Sequence, residues 1–387
     1  MEPAGPSRGR VLLSYMGPAY FRLPADSPEV RAHTRVWECR QIAQTFVDLG
    51  YTVDVIDWRN DVFIPRHPYR VFIDVRHNME RLAHLLGPNC LKVFHVDAAH
   101  MVFRNWAECT RLKALWERRG IVLPVARFEQ PNRAIEFADC AVVLGNEFTL
   151  GTYRYAGKPL YRIWISCPAL YPSPADKDFE RCRHRFVWFG SGGFVHKGLD
   201  LVLEAFAELP QLELTVCGPI ESEEAFRRAY WRELYETPNI HAVGWVDVEG
   251  ERFREITRTS VAVVYASAAE GQCGAVVNCM HAGLIPVISY ESGVDVDGFG
   301  WLLRRGTVEE IKEAVLEVAA TPAEELRRRA VCAWEQARRF HTREAFARRY
   351  RKLAELLLKH GPVIPEGLLA DVFEPNPGEG LLSVGAG

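Results

Sequence analysis

The chain has 387 residues, 48% of them hydrophobic and 25% charged, with a formal net charge of −3 at neutral pH. That length suits two domain-sized cores, and the composition is that of a globular protein. The near balance of charge excludes a general electrostatic footprint for nucleic acid, so no nucleic-acid partner is expected.

Other totals narrow the class further. No apolar run approaches the roughly 18 residues needed to cross a bilayer. The first ten residues, MEPAGPSRGR, lack the apolar centre of a secretory signal. Ten cysteines are scattered without a C-x-x-C pair, several inside apolar strand or helix patterns. They read as reduced thiols packed as small hydrophobes, and the expected location is the cytoplasm.

In chain order, Val11 to Ser14 predicts a first strand and Met16-Gly17-Pro18 a loop. From Arg31 to Leu49, Cys39, Ile42, Ala43, Phe46 and Leu49 recur at helical spacing, and Gly50 stops the helix. Tyr51 to Ile56 alternates as a strand, and strand-helix-strand at that length is a right-handed parallel crossover. Strands follow at Val71 to Asp74, Leu91 to His95 and Ala141 to Leu144. Helices are expected around Asn78 to Leu86 and Asn105 to Arg119, and Ala134 to Ala138 leads into the strand at Ala141. Ser166 to Lys177 holds three prolines in twelve residues and marks the join between halves. The expected division is residues 1–170 as one Rossmann-like domain, 171–184 as linker and 185–360 as a second. The last long helix is free to pack back on the first domain. Residues 361–387, rich in Gly and Pro, read as a loosely held tail.

After the linker the α/β rhythm restarts. RFVWFG is a buried strand, Ser191 to His196 a glycine-rich loop, Leu199 to Leu209 a helix and Leu212 to Cys217 a strand ending in Gly218-Pro219. His241 to Val246 is another strand. Val261 to Ser289 then reads strand, small polar loop with Glu270, helix Ala275 to Ala282, Gly283 stop and strand Leu284 to Ser289. Gly300 to Leu303 is a last strand. Thr307 and Glu310 mark a capping box for a helix to Ala320, and helices over Ala323 to Arg339 and Thr342 to Lys359 follow. Two doubly wound α/β sheets facing each other put their strand C-terminal ends across one cleft. There a glycine loop that opens a helix presents free N–H groups to an anion, and Glu270 can grip hydroxyls. The ligand so described is a phosphate-bearing polyol.

FVWFGSGGFVHKGLDLVLEAFAELPQLELTVCGP, NIHAVGWV and the Val261 to Ser289 stretch together resemble the nucleotide-binding domain of family-4 retaining glycosyltransferases (glycosyl transferases group 1) with the GT-B fold. The resemblance spans about Arg185 to Leu353. It is fainter in the first half, through the strand-loop-helix start, LKVFHVD and ADCAVVLGNEFT. It implies two Rossmann-like domains and transfer of a sugar from a nucleoside-diphosphate sugar to an acceptor hydroxyl, with retention and without a metal or a cofactor beyond the sugar donor. By the same resemblance Lys197 holds the diphosphate, Glu270 contacts the donor sugar, and His95, at the end of its strand, faces the cleft near that sugar. Contacts to the sugar nucleotide are expected from Gly190, Ser191, Gly192, Gly193, Gly218, Gly244, Trp245, Ser267, Gly271, Gln272, Cys273, Gly274 and Asn278. Gly17, His33 and Asn78 are candidates on the acceptor side.

Two positions depart from the family pattern. The second carboxylate of its E-x7-E pair is Asn278 here, and its usual arginine after the first glycine of the loop is Ser191. A binding or scaffold protein of the same fold, and a sugar-nucleotide epimerase, therefore stand beside the transferase. His95, Asp97 and His100 form HxDxxH, but the spacing fits no standard zinc set. Asp295-Val296-Asp297 follows a turn after a different strand pattern and reads as solvent-facing acids, not as a metal motif. The basic run from Leu326 to Lys352 reads as a solvated helical face, with contact to anionic lipid as its other reading.

Overall fold

The computed structural model describes residues 1–24, 27, 30 and 33–373. Two six-stranded parallel sheets organise it. The first contains β1 (Arg10–Tyr15), β2 (Thr52–Asp57), β3 (Val71–Asp74), β4 (Leu91–Val96), β5 (Cys140–Leu144) and β6 (Leu160–Ile163), in the order β2-β1-β3-β4-β5-β6. The second contains β7 (Arg185–Phe189), β8 (Glu213–Cys217), β9 (Ile240–Gly244), β10 (Ala262–Tyr265), β11 (Ile285–Ser289) and β12 (Trp301–Leu303), in the order β12-β11-β10-β7-β8-β9. Strand order reverses beside β1 in one sheet and between β7 and β10 in the other. Each reversal leaves a crevice at the strand C-terminal ends, where open α/β sheets take ligands.

The strands are near-continuous apolar runs because helices cover both faces. On β7, Phe186 and Trp188 enter the large core of the second domain, while Val187 packs on the opposite face with Val263, Cys279 and Phe253. In the first domain, Val11 and Leu13 of β1 join Ile42, Ala43 and Phe46 of the helix Thr34–Asp48. The final long helix, Arg343–His360, places Phe346, Tyr350, Leu353 and Leu357 in that first-domain core, although it follows the second domain in sequence. Of the basic run, Arg328 and Arg329 pair with Glu325, and Arg349 is buried, donating to the carbonyls of Phe340 and Arg339.

Several elements differ from the sequence expectation. β6 and the helices Glu224–Ala229, Trp231–Tyr235 and Glu251–Thr259 were not anticipated. Their apolar signal is thin: Glu251–Thr259 buries only Phe253, Ile256 and Thr257. The helix Met101–Arg119 starts four residues before the predicted Asn105, because the His100 side chain accepts from the Val102 N–H as its cap. At Thr307 the hydroxyl accepts from the Glu310 N–H, but the Glu310 carboxylate does not complete a capping box. It takes the N–H groups of Arg304, Arg305 and Gly306. The proline-rich join is packed rather than loose. Ser166 donates its N–H to Glu38, the Trp334 indole donates to the Tyr171 carbonyl, and the Lys177 ammonium donates to the carbonyls of Thr257 and Gly283.

Candidate active site

The strand C-terminal ends of the two sheets face one cavity of about 630 Å³. The first domain contributes Tyr15, Met16, Arg35, Arg76, Asp97 and Arg127 among others, and the second contributes Ser191, Lys197, Glu270, Gln272, Cys273 and Gly274. A second hollow of about 470 Å³ shares Met16, Arg35, Ile165, Ser191, Gly274 and Ala275 with it and extends past Gly190, Gly218, Trp245 and Asn278. Together they form one two-lobed cleft.

On the second-domain wall, the loop after β7 leads through Lys197 and Gly198 into the helix Leu199–Ala207. The Lys197 side chain is 5% exposed, and its ammonium donates to Ser191 Oγ at 2.6 Å and to the Ser191 carbonyl at 3.3 Å. Burial pulls its pKa down, and the Glu270 carboxylate opposes that. Burial by itself would raise the Glu270 pKa. Lys197, then Arg127, His196 and Arg104, outweigh it and hold the carboxyl at about 2. The hydroxyls of Ser267 and Tyr265 donate to Glu270 Oε1 at 3.4 and 3.5 Å. Lys197, buried, and Glu270, partly buried, are therefore opposite charges that both line the cavity.

The backbone after Glu270 is clamped by the first domain. The Glu270 carbonyl accepts from the Ala99 N–H at 3.1 Å, and the Gly271 carbonyl accepts from Thr149 Oγ1 at 3.1 Å. A Cβ at Gly271 would lie 2.4 Å from the Asp97 carbonyl oxygen, so only glycine permits this approach. Gln272 spans the join: its Oε1 accepts from the Ile165 N–H and its amide donates to the Gly293 carbonyl. Cys273 precedes the helix Gly274–His281, whose N-terminal end faces the cavity. Asn278, one turn on, lines the second lobe with His33, but its amide oxygen accepts from the Cys167 thiol. Trp245 is 67% exposed at the rim of that lobe.

Other expected residues lie apart from the cleft lining. Gly244 serves the strand end, where its carbonyl accepts from the Gly218 N–H. Gly192 lies against the Glu223 carboxylate, and Gly17 against the Asp57 carboxylate. Asn78 is buried, donating to Ser14 Oγ and the Trp58 carbonyl. His95 is corrected most clearly. β4 runs one residue further than predicted, to Val96, so His95 points into the core between Tyr15 and Tyr350. It is 0% exposed, and neither ring nitrogen has a hydrogen-bond partner among the described residues. Burial lowers its pKa to about 4, leaving the ring neutral at physiological pH.

Asp97 takes the cleft position instead. Burial pushes its carboxyl up, but Arg35 and Arg76 bring it to about 2. Arg76 continues to Glu129 at 3.0 Å and Glu129 to Arg104 at 3.3 Å, making an ionic ladder along the first-domain wall. None of these arginines was singled out in the sequence. For Arg76 a signal existed, since it follows β3 at the strand-order reversal. Arg127 lies in the unpatterned segment after Gly120, where no periodicity marks it.

Among the described residues, no group of three or more His, Cys, Asp or Glu side chains is placed to hold a metal ion. The members of HxDxxH diverge, with His95 in the core, Asp97 on arginines and His100 capping a helix. Asp295 pairs with Arg162. No helix among the described residues is long and apolar enough to cross a membrane.

Two facing Rossmann-like domains with the ligand cleft between them define the GT-B architecture. Residues 183–321 match the family model described as glycosyl transferases group 1. No curated protein matches the chain. Among solved structures, the sucrose-phosphate synthase of Thermosynechococcus elongatus superposes with a TM-score of 0.60 at 16% identity, covering 91% of this chain and 100% of that one. A glycosyltransferase of Rickettsia africae gives 0.58 at 11% identity with the same coverage. Alr3699/HepE of Anabaena, crystallised with UDP and glucose, gives 0.56 at 12% identity, again over 91% and 100%. At these identities the likeness shows the shared fold.

Proposed function

We propose that the protein transfers a sugar from a nucleoside-diphosphate sugar to an acceptor hydroxyl, with retention of anomeric configuration and without a metal ion. The observation that carries this is the opposite charges of Lys197 and Glu270, both lining the cavity at the strand-order reversal of the domain matched by the glycosyl transferases group 1 model. Lys197 stabilises charge on the departing diphosphate, and Glu270, ionised at all physiological pH values, accepts hydrogen bonds from sugar hydroxyls. The other carboxyl groups in the cleft are poorly suited to act as nucleophile or base. Asp97 and Glu129 are tied to arginines, and Glu38 is fully buried with its carboxyl accepting the Ser166 N–H. The departing phosphate is then the base nearest the incoming hydroxyl, on the face from which it leaves, which retains configuration. The enclosed cleft limits donor hydrolysis by excluding water.

Uridine diphosphate sugars are the first donors to try, given the ligand of the Anabaena neighbour. The protein is incubated with a panel of sugar nucleotides, with EDTA present, and nucleoside diphosphate release is followed. Slow release from one donor, accelerated by a glycan, lipid or small-molecule acceptor, is the expected result. Binding without any release would instead support a scaffold role, which Asn278 and Ser191 motivate. A changed sugar without release, read by NMR, would support an epimerase.

A further inference from the structure

Ser191 stands beside Lys197, and its hydroxyl accepts from the Lys197 ammonium, so the loop after β7 brings one side-chain cation to the cavity. The loop backbone does not make up the difference. The Glu223 carboxylate occupies the Gly193 N–H and lies 3.5 Å from the Phe194 N–H, so neither is free for a phosphate. A second cation comes from the other domain. Arg127 crosses the cleft and lies over Gly193, where a Cβ would come within 2.5 Å of its Cγ. Gly193 has φ +89 and no side chain, and both features are needed for that approach. The Arg127 guanidinium lines the cavity with Lys197 and Glu270, and its charge acts on both. Its Nε is buried and has no hydrogen-bond partner among the described residues.

The placement is built from below. Glu108, fully buried on the helix Met101–Arg119, accepts the N–H groups of Ala126 and Arg127 on Oε1 at 2.8 and 3.1 Å. Its Oε2 lies 2.9 Å from Nδ1 of His196, the residue before Lys197. The other ring nitrogen of His196 lies 2.6 Å from the Ala269 carbonyl, the residue before Glu270. One carboxylate therefore sets the Arg127 loop in register with both members of the Lys197–Glu270 pair.

We infer that Arg127 is the second diphosphate-binding cation of the cleft, supplied by the opposite domain and positioned by Glu108, so that the diphosphate site is complete only when the two domains are closed. This rests on the proposed use of a nucleoside diphosphate. Anion recognition then involves a planar guanidinium from one domain and an ammonium from the other, and binding of the diphosphate itself favours closure.

The test uses the full chain and two kinds of probe, inorganic pyrophosphate and the diphosphates UDP, GDP and ADP, with affinities read by calorimetry. Arg127→Ala should lose roughly tenfold to hundredfold in affinity for pyrophosphate and for whichever diphosphate the parent binds. Arg127→Lys should recover part of it, and melting temperatures of both should stay near the parent's because Arg127 lies on a partly exposed loop. Lys197→Ala separates the two claims. If the parent and Lys197→Ala bind neither probe, the diphosphate reading and the inference fall together. If Lys197→Ala loses binding while Arg127→Ala binds as the parent does, the inference alone is overturned. Loss of nucleotide with pyrophosphate affinity unchanged would also overturn it.

Discussion

Replacing Lys197 by alanine is the sharpest probe of the chemistry. The Glu270 carboxyl is held at about 2 instead of 4.5 although burial acts to raise it, and Lys197 is its largest source of stabilising charge. That difference is worth about 3 kcal/mol of preference for the ionised form. The same ammonium faces the place where negative charge grows on the leaving diphosphate. One unit charge at about 4 Å in an effective dielectric of about 20 contributes about 4 kcal/mol. Losing one preorganised donor of charge elsewhere costs about 2.7–4 kcal/mol, or about 10²–10³ in turnover. Lys197→Ala and the similarly shaped Lys197→Met should therefore lower turnover about 10²–10³-fold. The fall belongs mainly in kcat, because the interaction strengthens as the bond breaks. The assay is release of nucleoside diphosphate from the donor that the parent uses, at saturating acceptor. Turnover within a few-fold of the parent in a folded variant would refute the assignment of Lys197 as leaving-group stabiliser.

Two further outcomes follow from the geometry. Burial, opposed by the Ser166 N–H and by Arg35, pushes the Glu38 carboxyl from 4.5 up to about 8. The folded state thus holds this proton more tightly than the unfolded chain. Its stabilisation is full below pH 4.5 and is lost as pH rises toward about 8. Glu38→Gln keeps an acceptor for Ser166 and should flatten that decline, which is on the order of a few kcal/mol in the parent. Chemical denaturation across pH 4.5–8.5 checks this, and parallel curves for parent and variant would contradict it. Gly271→Ala places a Cβ 2.4 Å from the Asp97 carbonyl of the facing domain. Because the clash crosses the cleft, the domains should separate while each stays folded. Small-angle scattering should show a larger radius of gyration with little change in helix content, and an unchanged radius would count against a closed resting arrangement held by this contact.

Local patterns were enough to locate the second-domain wall. The buried run of β10, the helix start at Gly274 and the glycine loop before Lys197 are each written in a few consecutive residues, so Lys197 and Glu270 were legible along with the two-sheet architecture. β6 and the polar helix Glu251–Thr259 were missed because their burial comes from neighbours distant in the chain. Strand ends are the weak point of such reading. β4 continues to Val96, so His95 lies inside the strand and packs in the core, while Asp97, two residues on, is past the strand end and reaches the cleft.

The sequence pattern pointed by itself to the pair of doubly wound domains, and Lys197 and Glu270 were singled out with the help of the family resemblance that their motifs carry. Only the tertiary structure decided what stands opposite those two residues. The Arg35–Asp97–Arg76–Glu129–Arg104 ladder, Arg127 over Gly193 and the Cys167 thiol on Asn278 all join residues far apart in the chain. The ladder assembles within the first domain and the other two contacts form where the two domains close on each other, and no local period records either meeting.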